Sequence, residues 1–542
     1  MLACAQVSLS ILTMHYASMV ILAAPVDHWC KVPRELGNVS AKEWKSTGIP
    51  LEADGTPSQC YAYAVTAAPV TGTARGSRAE AVAEKHRTKV RCSEWDYGVE
   101  RGVRTLVSEW NLVCDDAWIS AAAFTYDHVV VLAPVPFLGQ MADRFGRRPV
   151  IFASVIVVLA ADITTAVTSS LVAFFAARMF AGASCNALAL VFLVMLFEVS
   201  GSEIRQELAW AAFLAPMLTS LLPTLAAGAM LDRRVLSFMM LAVASLLIPS
   251  FYFVEESAQW RRAVGSKVER HRFVTSRVTS IEPSASTSHR RHRHGRAKRR
   301  RPRASTAVDL LAQKALRPRT LTLSFLFLLL FAGLYVTFSG TASGQPSRSE
   351  TALAGPYRLL LELVARSLSL LVSDWLLRMP TRREALVLAF CTVLVAGWAK
   401  HVAKRIASRD DPGDPPLVIV VMGELLLDAI LVALVLVFAC TLEAYRTEVR
   451  ATGLCAVYFS GGIGATLSPM LAGMEPQTLL LVGGTVAVLA AISATRHLPH
   501  VADYELFLAQ IQAHESERWS VSSVRSSVSK NDQPNDLHHI LP

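Results

Sequence analysis

Charged side chains are scarce in this sequence. Asp, Glu, Lys and Arg make up 18% of the 542 residues, whereas hydrophobic residues make up 52%. Soluble domains carry about 25% charged residues, so this composition excludes an ordinary soluble globular protein. Long apolar runs recur along the chain, and inside lipid such runs satisfy their backbone hydrogen bonds as helices. The composition therefore predicts an all-α polytopic membrane protein.

The sequence also lacks the motifs of common enzyme classes. It has no phosphate-binding loop, no zinc-ligand spacing and no nucleophile elbow. A histidine-rich stretch, which contains His289, His292 and His294, lies among arginines that would repel a cation. We therefore predict that the protein is not an enzyme and that it has neither a cofactor nor a metal site.

Twelve apolar runs are long enough to span a bilayer, and they form two sets of six. The first set covers residues 2–24, 118–138, 149–168, 172–195, 208–230 and 235–254. The second set covers residues 320–338, 357–377, 384–402, 417–440, 452–473 and 477–495. The first run is also compatible with a signal peptide, but it lacks a basic lead-in, which favours a retained helix. This pattern predicts twelve transmembrane helices in two six-helix bundles.

The two sets divide the chain into four regions. We predict an N-terminal bundle over 1–254, a connector over 255–319, a C-terminal bundle over 320–495 and a tail over 496–542. The N-terminal bundle includes a large extracellular loop over 25–117.

Basic residues set the predicted orientation of the chain. Nine Lys and Arg residues lie between Arg290 and Arg303. Between membrane spans, such a run indicates a cytosolic loop near anionic lipid headgroups, and not a segment that binds nucleic acid. One group of cations disagrees with this topology and falls on the predicted outer side, namely Lys400, Lys404, Arg405 and Arg409.

The large loop after the first span has the composition of an extracellular segment. It contains Cys30, Cys60, Cys92 and Cys114, which predict two disulfides with three connectivities open. The sequon at Asn38 predicts glycosylation of the same loop.

Two charged signatures recur at half-chain spacing and predict duplicated halves. Glu198 precedes Arg205 by seven residues, as Glu443 precedes Arg450. The pair Arg147-Arg148 likewise matches Arg382-Arg383. In the loop over 139–149, glycines permit a tight turn, while an aspartate and several arginines can pair across cytosolic helix ends.

These motifs resemble those of the major facilitator superfamily and, within it, the organic cation and organic anion transporters, which form solute carrier family 22. The likeness rests on the loop over 139–149 and on two cysteine- and tryptophan-containing elements, Cys92–Tyr97 and Thr105–Cys114. It implies alternating access, in which two bundles rock about a central cavity. It also implies a gating role for Gly139, Asp143, Arg144, Gly146, Arg147, Arg148, Glu198, Arg205, Glu443 and Arg450.

The sequence departs from this family in the second half. Where the family usually has an ionised residue midway along helix eleven, this chain has Gly461. Near the family's Glu-x-Pro element in helix eight it has Arg366, and Thr381 replaces a glycine before the second arginine pair.

Ionisable residues inside spans are costly and therefore indicate function. Glu362 and Arg366 lie four residues apart, as do Glu424 and Asp428. Glu362 and Arg366 either neutralise each other's charge or line a cavity. Of Glu424 and Asp428, one either takes up a proton or pairs with Arg366. Tyr335 offers an aromatic face to the solute, and Gly461 stands where the family has its ionised residue. The predicted substrate-binding residues are therefore Arg366, Glu362, Tyr335, Glu424, Asp428 and Gly461.

Three other polar residues within spans have simpler interpretations. Asp162 and Arg178 are expected to reach the outer interface or to pair with each other. His15 is expected to be a packed neutral imidazole.

The sequence predicts transport of small organic ions across the plasma membrane, by uniport or exchange. Arg366 favours anionic or zwitterionic solutes slightly. Two alternatives remain, a non-transporting receptor or scaffold with a degenerate second half and a sugar-type facilitator. The expected partners are the solute and the lipid bilayer, with no nucleic acid, and the oligomeric state is left open.

Overall fold

The computed structural model describes most of the chain, with several gaps. The described residues are 1–23, 26–33, 40–52, 55–64, 88–98, 104–200, 232–264, 306–314, 316–342, 351–379, 381–410 and 417–472. Asn38, Arg205 and the predicted fifth and twelfth spans lie outside them.

Long helices occupy the other ten predicted spans. In the N-terminal half they are α1 (Leu2–Leu22), α4 (Ala117–Leu132), α5 (Val135–Phe145), α6 (Arg147–Val167), α7 (Leu171–Val199) and α8 (Arg233–Ser245). In the C-terminal half they are α11 (Arg317–Ala342), α12 (Thr351–Leu377), α13 (Arg382–Asp410), α14 (Leu417–Ala444) and α15 (Arg450–Ala472). Shorter helices are α2 (Ala41–Thr47), α3 (Leu106–Trp110), α9 (Ser250–Phe253) and α10 (Ala307–Ala312).

Among the described residues, six helical stretches are long and apolar enough by themselves to cross a membrane. They are Arg147–Val167, Leu171–Val199, Arg233–Phe253, Arg317–Thr337, Glu384–Ala403 and Val421–Ala444.

Prolines and polar ends explain where the helices depart from the predicted spans. The second span is interrupted at Ala133-Pro134, because proline lacks the N–H that an unbroken helix requires. The sixth span is likewise interrupted by turns over residues 246–249, and Pro249 precedes the single turn of α9. Helix α13 continues to Asp410, so the cations between Lys400 and Arg409 lie on a helix that extends past the predicted span.

The described parts of the predicted extracellular loop contain two small sheets and two disulfides. Strand β1 (His28–Cys30) pairs antiparallel with β4 (Trp95–Tyr97), and β2 (Tyr61–Tyr63) pairs with β3 (Lys89–Arg91). The disulfides join Cys30 to Cys92 and Cys60 to Cys114, which selects one of the three open connectivities.

Arg233 connects this loop to the membrane helices. Arg233, at the start of α8, donates from Nε and Nη2 to the two carboxylate oxygens of Glu109 in α3, at 2.5 and 2.9 Å. The same guanidinium donates to the carbonyl oxygens of Thr165 and Thr168 at the end of α6. Trp110 adds a hydrogen bond from its indole N–H to the carbonyl of Ser169, at 2.9 Å. These bonds fix the base of the predicted extracellular loop to the helices of the N-terminal half.

Helix α15 packs against helices of both halves. Within the C-terminal half it packs along α11, and across the interface it contacts α4, α5 and α7. The packing on α11 is tight, because a Cβ atom at Gly464 would lie 2.1 Å from the carbonyl oxygen of Leu328.

Candidate gate and substrate site

A buried ion-pair cluster lies at the predicted cytosolic ends of the helices. Arg147 at the start of α6 is fully buried, and its Nη2 atom lies 3.0 Å from Asp143 and 2.9 Å from Glu198. The Oε1 atom of Glu198 also accepts from Nη1 of Arg450, at 3.1 Å. Arg147 belongs to the N-terminal half and Arg450 to the C-terminal half, so one carboxylate oxygen joins them.

Asp143 makes a second connection between the halves. Its carboxylate accepts hydrogen bonds from the backbone N–H groups of Ala451 and Thr452, at 3.3 and 2.7 Å, and from the Thr452 hydroxyl at 2.7 Å. These N–H groups belong to the first turn of α15, where a helix has no internal acceptor for them. The N-terminal half therefore caps a helix of the C-terminal half. We call Asp143, Arg147, Glu198, Arg450 and Thr452 the cytosolic cluster.

Two glycines allow the cytosolic cluster to assemble. A Cβ atom at Gly139 would lie 2.7 Å from Cβ of Cys455 on α15, so only glycine permits this approach of α5 to α15. Gly146 has φ +112° and leaves space for Glu256, whose carboxylate accepts from the backbone N–H groups of Arg147 and Arg148 at 2.9 and 3.1 Å. Glu256 thus caps α6 in place of the missing side chain.

Burial changes the acidity of Asp143, the residue of the N-terminal half that caps α15. Asp143 lies beyond the predicted second span, and burial raises the pKa of its carboxyl group to about 6. Arg147 and the hydrogen bonds from Thr452 act in the opposite direction but are outweighed.

Three charged residues with a predicted gating role lie outside the cytosolic cluster in the described part of the chain. Arg144 is exposed beside the ring of Phe145, and Glu443 is half-buried on α14. The side chain of Arg148 is exposed and donates to the carbonyl of Phe251 at 3.3 Å.

A second buried cluster lies within the C-terminal half. Arg366 on α12 donates from Nη1 to Asp428 and from Nη2 to Glu424, the latter at 3.4 Å, and the three side chains are all buried. Of the arrangements left open for Glu424 and Asp428, the structure has the pairing with Arg366. Glu362 lies one turn from Arg366 on α12, and its side chain is outside the described part of the chain. We call Arg366, Glu424 and Asp428 the intramembrane cluster.

Aromatic rings meet between the two halves. The imidazole of His128 on α4 stacks on Tyr16 of α1, with ring centroids 4.9 Å apart, and meets the ring of Tyr335 on α11 edge-on at 4.3 Å. Phe331 and Tyr458 continue the set in the C-terminal half, with centroids 5.3 Å apart. We call these five residues the aromatic seam. Of them, sequence analysis assigned only Tyr335 to the site.

His128 carried a signal that the sequence interpretation passed over. It is an ionisable residue inside the predicted span 118–138, which is the same criterion that selected Arg366. Tyr16 and Tyr458 carried no such signal, because single aromatic residues are common in membrane helices.

Gly461 has no space for a side chain. A Cβ atom there would lie 2.8 Å from Cδ2 of Phe331, so the Phe331 ring fills the position next to α15. A charged residue at this point of α15 would require that ring to move.

Arg178 does not reach the outer interface. It is buried, and its guanidinium donates to the hydroxyl of Ser18 and to the carbonyl of His15 on α1, at 2.9 and 2.7 Å. It thus joins α7 to α1. His15 is fully buried and contacts Tyr16 edge-on, with centroids 5.7 Å apart. Among the described residues, His, Cys, Asp and Glu side chains form no group of three that could hold a metal ion.

In the structure Asp143 caps α15 of the other half, and Arg147 and Arg450 share Glu198. Comparisons with known proteins show which class of helical protein has this architecture. The family model of the Major Facilitator Superfamily matches residues 116–469. The chain therefore belongs to the major facilitator superfamily and is a multi-pass membrane transporter with the twelve-helix fold of that superfamily.

Relatives within the superfamily are members of solute carrier family 22, which confirms the resemblance drawn from the motifs. Human solute carrier family 22 member 7 is 27% identical over 508 residues, covering 89% of this chain and 88% of the relative. The Bos taurus protein of the same name is 25% identical over 497 residues, with the same coverage. The organic cation transporter protein of Drosophila melanogaster is 30% identical over 181 residues, which are 33% of this chain and 32% of that protein.

A solved structure agrees with this fold. The proton:xylose symporter XylE, bound to 6-bromo-6-deoxy-D-glucose, superposes with a TM-score of 0.54 at 12% identity, covering 72% of this chain and 89% of the symporter. At that identity the likeness concerns the fold alone.

Proposed function

We propose that this chain carries small organic ions across the plasma membrane by alternating access. The cytosolic cluster carries the proposal, because Asp143 and Glu198 of one half hold Thr452 and Arg450 of the other. These bonds close the predicted cytosolic side in the state described. Each is a hydrogen bond or ion pair that water can replace, so the same side can open when the halves rock apart.

The names of the relatives support organic ions as the cargo. The Drosophila relative is an organic cation transporter protein, and the full-length relatives belong to solute carrier family 22. We propose the same class of cargo for this chain, with the plasma membrane as its location.

We propose further that the cargo is anionic or zwitterionic. The guanidinium of Arg366 is buried in the C-terminal half and held by Asp428 and Glu424. A guanidinium can bind a carboxylate through two parallel hydrogen bonds. A cargo carboxylate that replaces Asp428 keeps Arg366 paired, and the cationic group of a zwitterion can pair with the displaced Asp428. The intramembrane cluster therefore suits solutes that bring their own carboxylate.

The test is uptake of labelled benzoate, succinate, glycine betaine and choline by cells that express the protein, compared with Arg366→Gln and Asp428→Asn. We expect saturable uptake of at least one carboxylate by the wild type and none by Arg366→Gln. Asp428→Asn removes a charge from the same pair but leaves the guanidinium, so carboxylate uptake should persist with an equal or lower KM.

Three outcomes are distinguishable once surface expression is matched. Equal loss in both variants would show that the pair is structural and would remove the reason for an anionic cargo. Uptake of choline alone would reverse the proposed charge of the cargo. Normal surface expression without saturable flux of any solute would favour a non-transporting receptor or scaffold.

A further inference from the structure

Asp162 is a buried acidic residue near the predicted outer end of α6, five residues before that helix ends at Val167. It is 2% exposed, and its Oδ2 atom is buried without a hydrogen-bond partner. In an apolar interior an ionised carboxylate costs far more free energy than the same group with a proton bound, unless a cation pairs with it. The charge state of Asp162 therefore depends on the cations around it.

Arg178 on α7 is the cation that attracts ionised Asp162. In the state described, however, its guanidinium donates to the hydroxyl of Ser18 and to the carbonyl of His15, at 2.9 and 2.7 Å. Both of these acceptors belong to α1. A guanidinium presents five N–H donors on a long side chain, so it can turn from one neighbouring acceptor to another. Arg178 thus has two alternative partners, α1 and the carboxylate of Asp162.

Other charged groups on the helices that pack against α6 are held elsewhere. These helices are α5, α7 and α8. On α8, Arg233 is bound to Glu109 and Arg234 is exposed. The charged residues of α5, and Glu198 of α7, lie at the opposite, cytosolic end. Within the described residues, Arg178 is therefore the charge that decides whether Asp162 is ionised.

Helix α1 connects Arg178 to the other half of the protein. The carbonyl that Arg178 binds belongs to His15, and the next residue is Tyr16. The side chain of Tyr16 is hydrogen-bonded to that of Tyr458 on α15, in the C-terminal half. Arg178 thus holds the turn of α1 that contacts the other half. If Arg178 turned to Asp162, this turn of α1 would be free to move.

We propose that Asp162 is a proton-binding site and that the transporter carries a proton inward with its carboxylate cargo. With the cytosolic cluster closed, Asp162 takes a proton from the outer solution while Arg178 holds α1. When the halves rock, Arg178 turns to Asp162, and the carboxyl group releases its proton to the cytosolic side. The proton offsets the charge of the anion, so an inside-negative potential no longer opposes uptake. The proposal rests on the proposed function and adds the coupling ion to it.

The first test measures proton movement by the wild type. Purified protein is reconstituted into liposomes that contain a pH-sensitive dye, without a pH gradient and with the membrane potential clamped at zero. Labelled carboxylate is then added outside. We expect the lumen to acidify in proportion to carboxylate uptake, after subtraction of the passive entry seen in protein-free liposomes. Carboxylate uptake without this acidification would overturn the proton site and leave the proposed function standing. Absence of any carboxylate uptake would overturn both.

The second test removes the titratable group. Asp162→Asn keeps the size of the side chain but cannot bind and release a proton. It should lose both the acidification of the lumen and the stimulation of uptake by an acidic outer solution. Asp115→Asn is the control, because Asp115 is an exposed carboxylate that pairs with Arg91 outside the membrane helices, and both effects should persist. Acidification by Asp162→Asn equal to that of the wild type would overturn the proposal.

Asp162→Glu decides the matter if Asp162→Asn carries no carboxylate. It keeps a titratable carboxyl group but moves it relative to Arg178 by one methylene group. Proton uptake should persist, and the outer pH that gives half-maximal stimulation of uptake should shift. An unshifted midpoint would show that the proton is carried elsewhere. Loss of uptake in both variants, with normal surface expression, would show that Asp162 is needed for packing and would overturn its role as a proton site.

Discussion

The cytosolic cluster and the intramembrane cluster are both buried, but they join different parts of the protein. The first links α5, α6 and α7 of one half to α15 of the other, whereas the second links α12 to α14 within one half. Separation of the halves must break the first at every turnover, whereas it does not by itself disturb the second, whose residues all belong to one half. The difference explains why the first relies partly on backbone N–H groups of a helix end, which water can serve when the halves part.

Removal of Glu198 should have the largest effect on the cytosolic cluster. Glu198→Gln removes the charge that Arg147 and Arg450 share, and loss of one partner from a buried ion pair costs about 3–5 kcal/mol. Because this cost falls on the closed cytosolic side, we expect uptake to fall more than tenfold and the buried thiol of Cys455 to become reactive. The rate of Cys455 alkylation in inside-out vesicles measures this reactivity. Cys4 and Cys391 are replaced beforehand, because these free cysteines are only half-buried.

The control for Glu198 is an ion pair whose two residues both belong to the C-terminal half. Asp374 and Arg378 are 2.9 Å apart on one helix, with side chains 25% and 56% exposed. Such a pair contributes about 0.3–0.5 kcal/mol, so Asp374→Asn should leave uptake and Cys455 reactivity unchanged. Protection of Cys455 in Glu198→Gln would show that this carboxylate does not hold the halves together.

Glycine substitutions should distinguish contacts between the halves from contacts within one half, with a smaller effect than Glu198→Gln. An added Cβ would meet α15 from α5 at Gly139 and the backbone of α11 from α15 at Gly464. Overpacking of this kind costs about 1–3 kcal/mol. We expect Gly464→Ala to reduce the amount of folded protein at the surface, because it separates helices of one half. Gly139→Ala should leave that amount unchanged and raise Cys455 reactivity, because it separates the halves.

Gly333→Ala is the matched control for both glycines. A Cβ atom there would lie 3.5 Å from Ile430, which is an ordinary contact. Equal loss of surface protein in Gly139→Ala and Gly464→Ala, measured by surface biotinylation, would contradict the distinction between the two kinds of contact.

Cytosolic pH should give the smallest effect. The pKa of Asp143 is raised to about 6 when the cluster is closed and returns toward the ordinary value of about 4 when the side chain meets water. The closed state therefore binds the proton more tightly, so it gains stability as pH falls through 6. Between pH 7.5 and 6 we expect about a twofold shift toward the closed state.

The alkylation rate of a thiol itself changes with pH, because the thiolate is the reactive form. Measurement of this shift therefore requires a reference. The rate of Cys455 alkylation in inside-out vesicles at each pH is divided by the rate in Asp143→Asn, which cannot titrate at this position. A ratio that rises on acidification would reverse the predicted sign.

The sequence predicted the helices, because apolar runs are a local pattern. The gating role of Asp143, Arg147, Glu198 and Arg450 was implied by the resemblance to a known family. The sequence did not predict that Asp143 caps α15, since the donors to that carboxylate are backbone N–H groups 308 and 309 residues away. It also left the partner of Arg366 open between Glu362, one turn away, and two carboxylates that only folding brings close. Likewise, the cysteine count predicted two disulfides, but their connectivity follows from which strands pair.

The salt bridge between Arg233 and Glu109 has a consequence for how the motion of this transporter can be observed. Because it fixes the base of the predicted extracellular loop to α6 and α8, we expect the loop to turn with the N-terminal half. A spectroscopic label on the disulfide-bonded strands would magnify a small tilt of the buried helices into a larger displacement outside the membrane. If the loop is extracellular, as its sequence predicts, such a label would report this rotation from outside the cell.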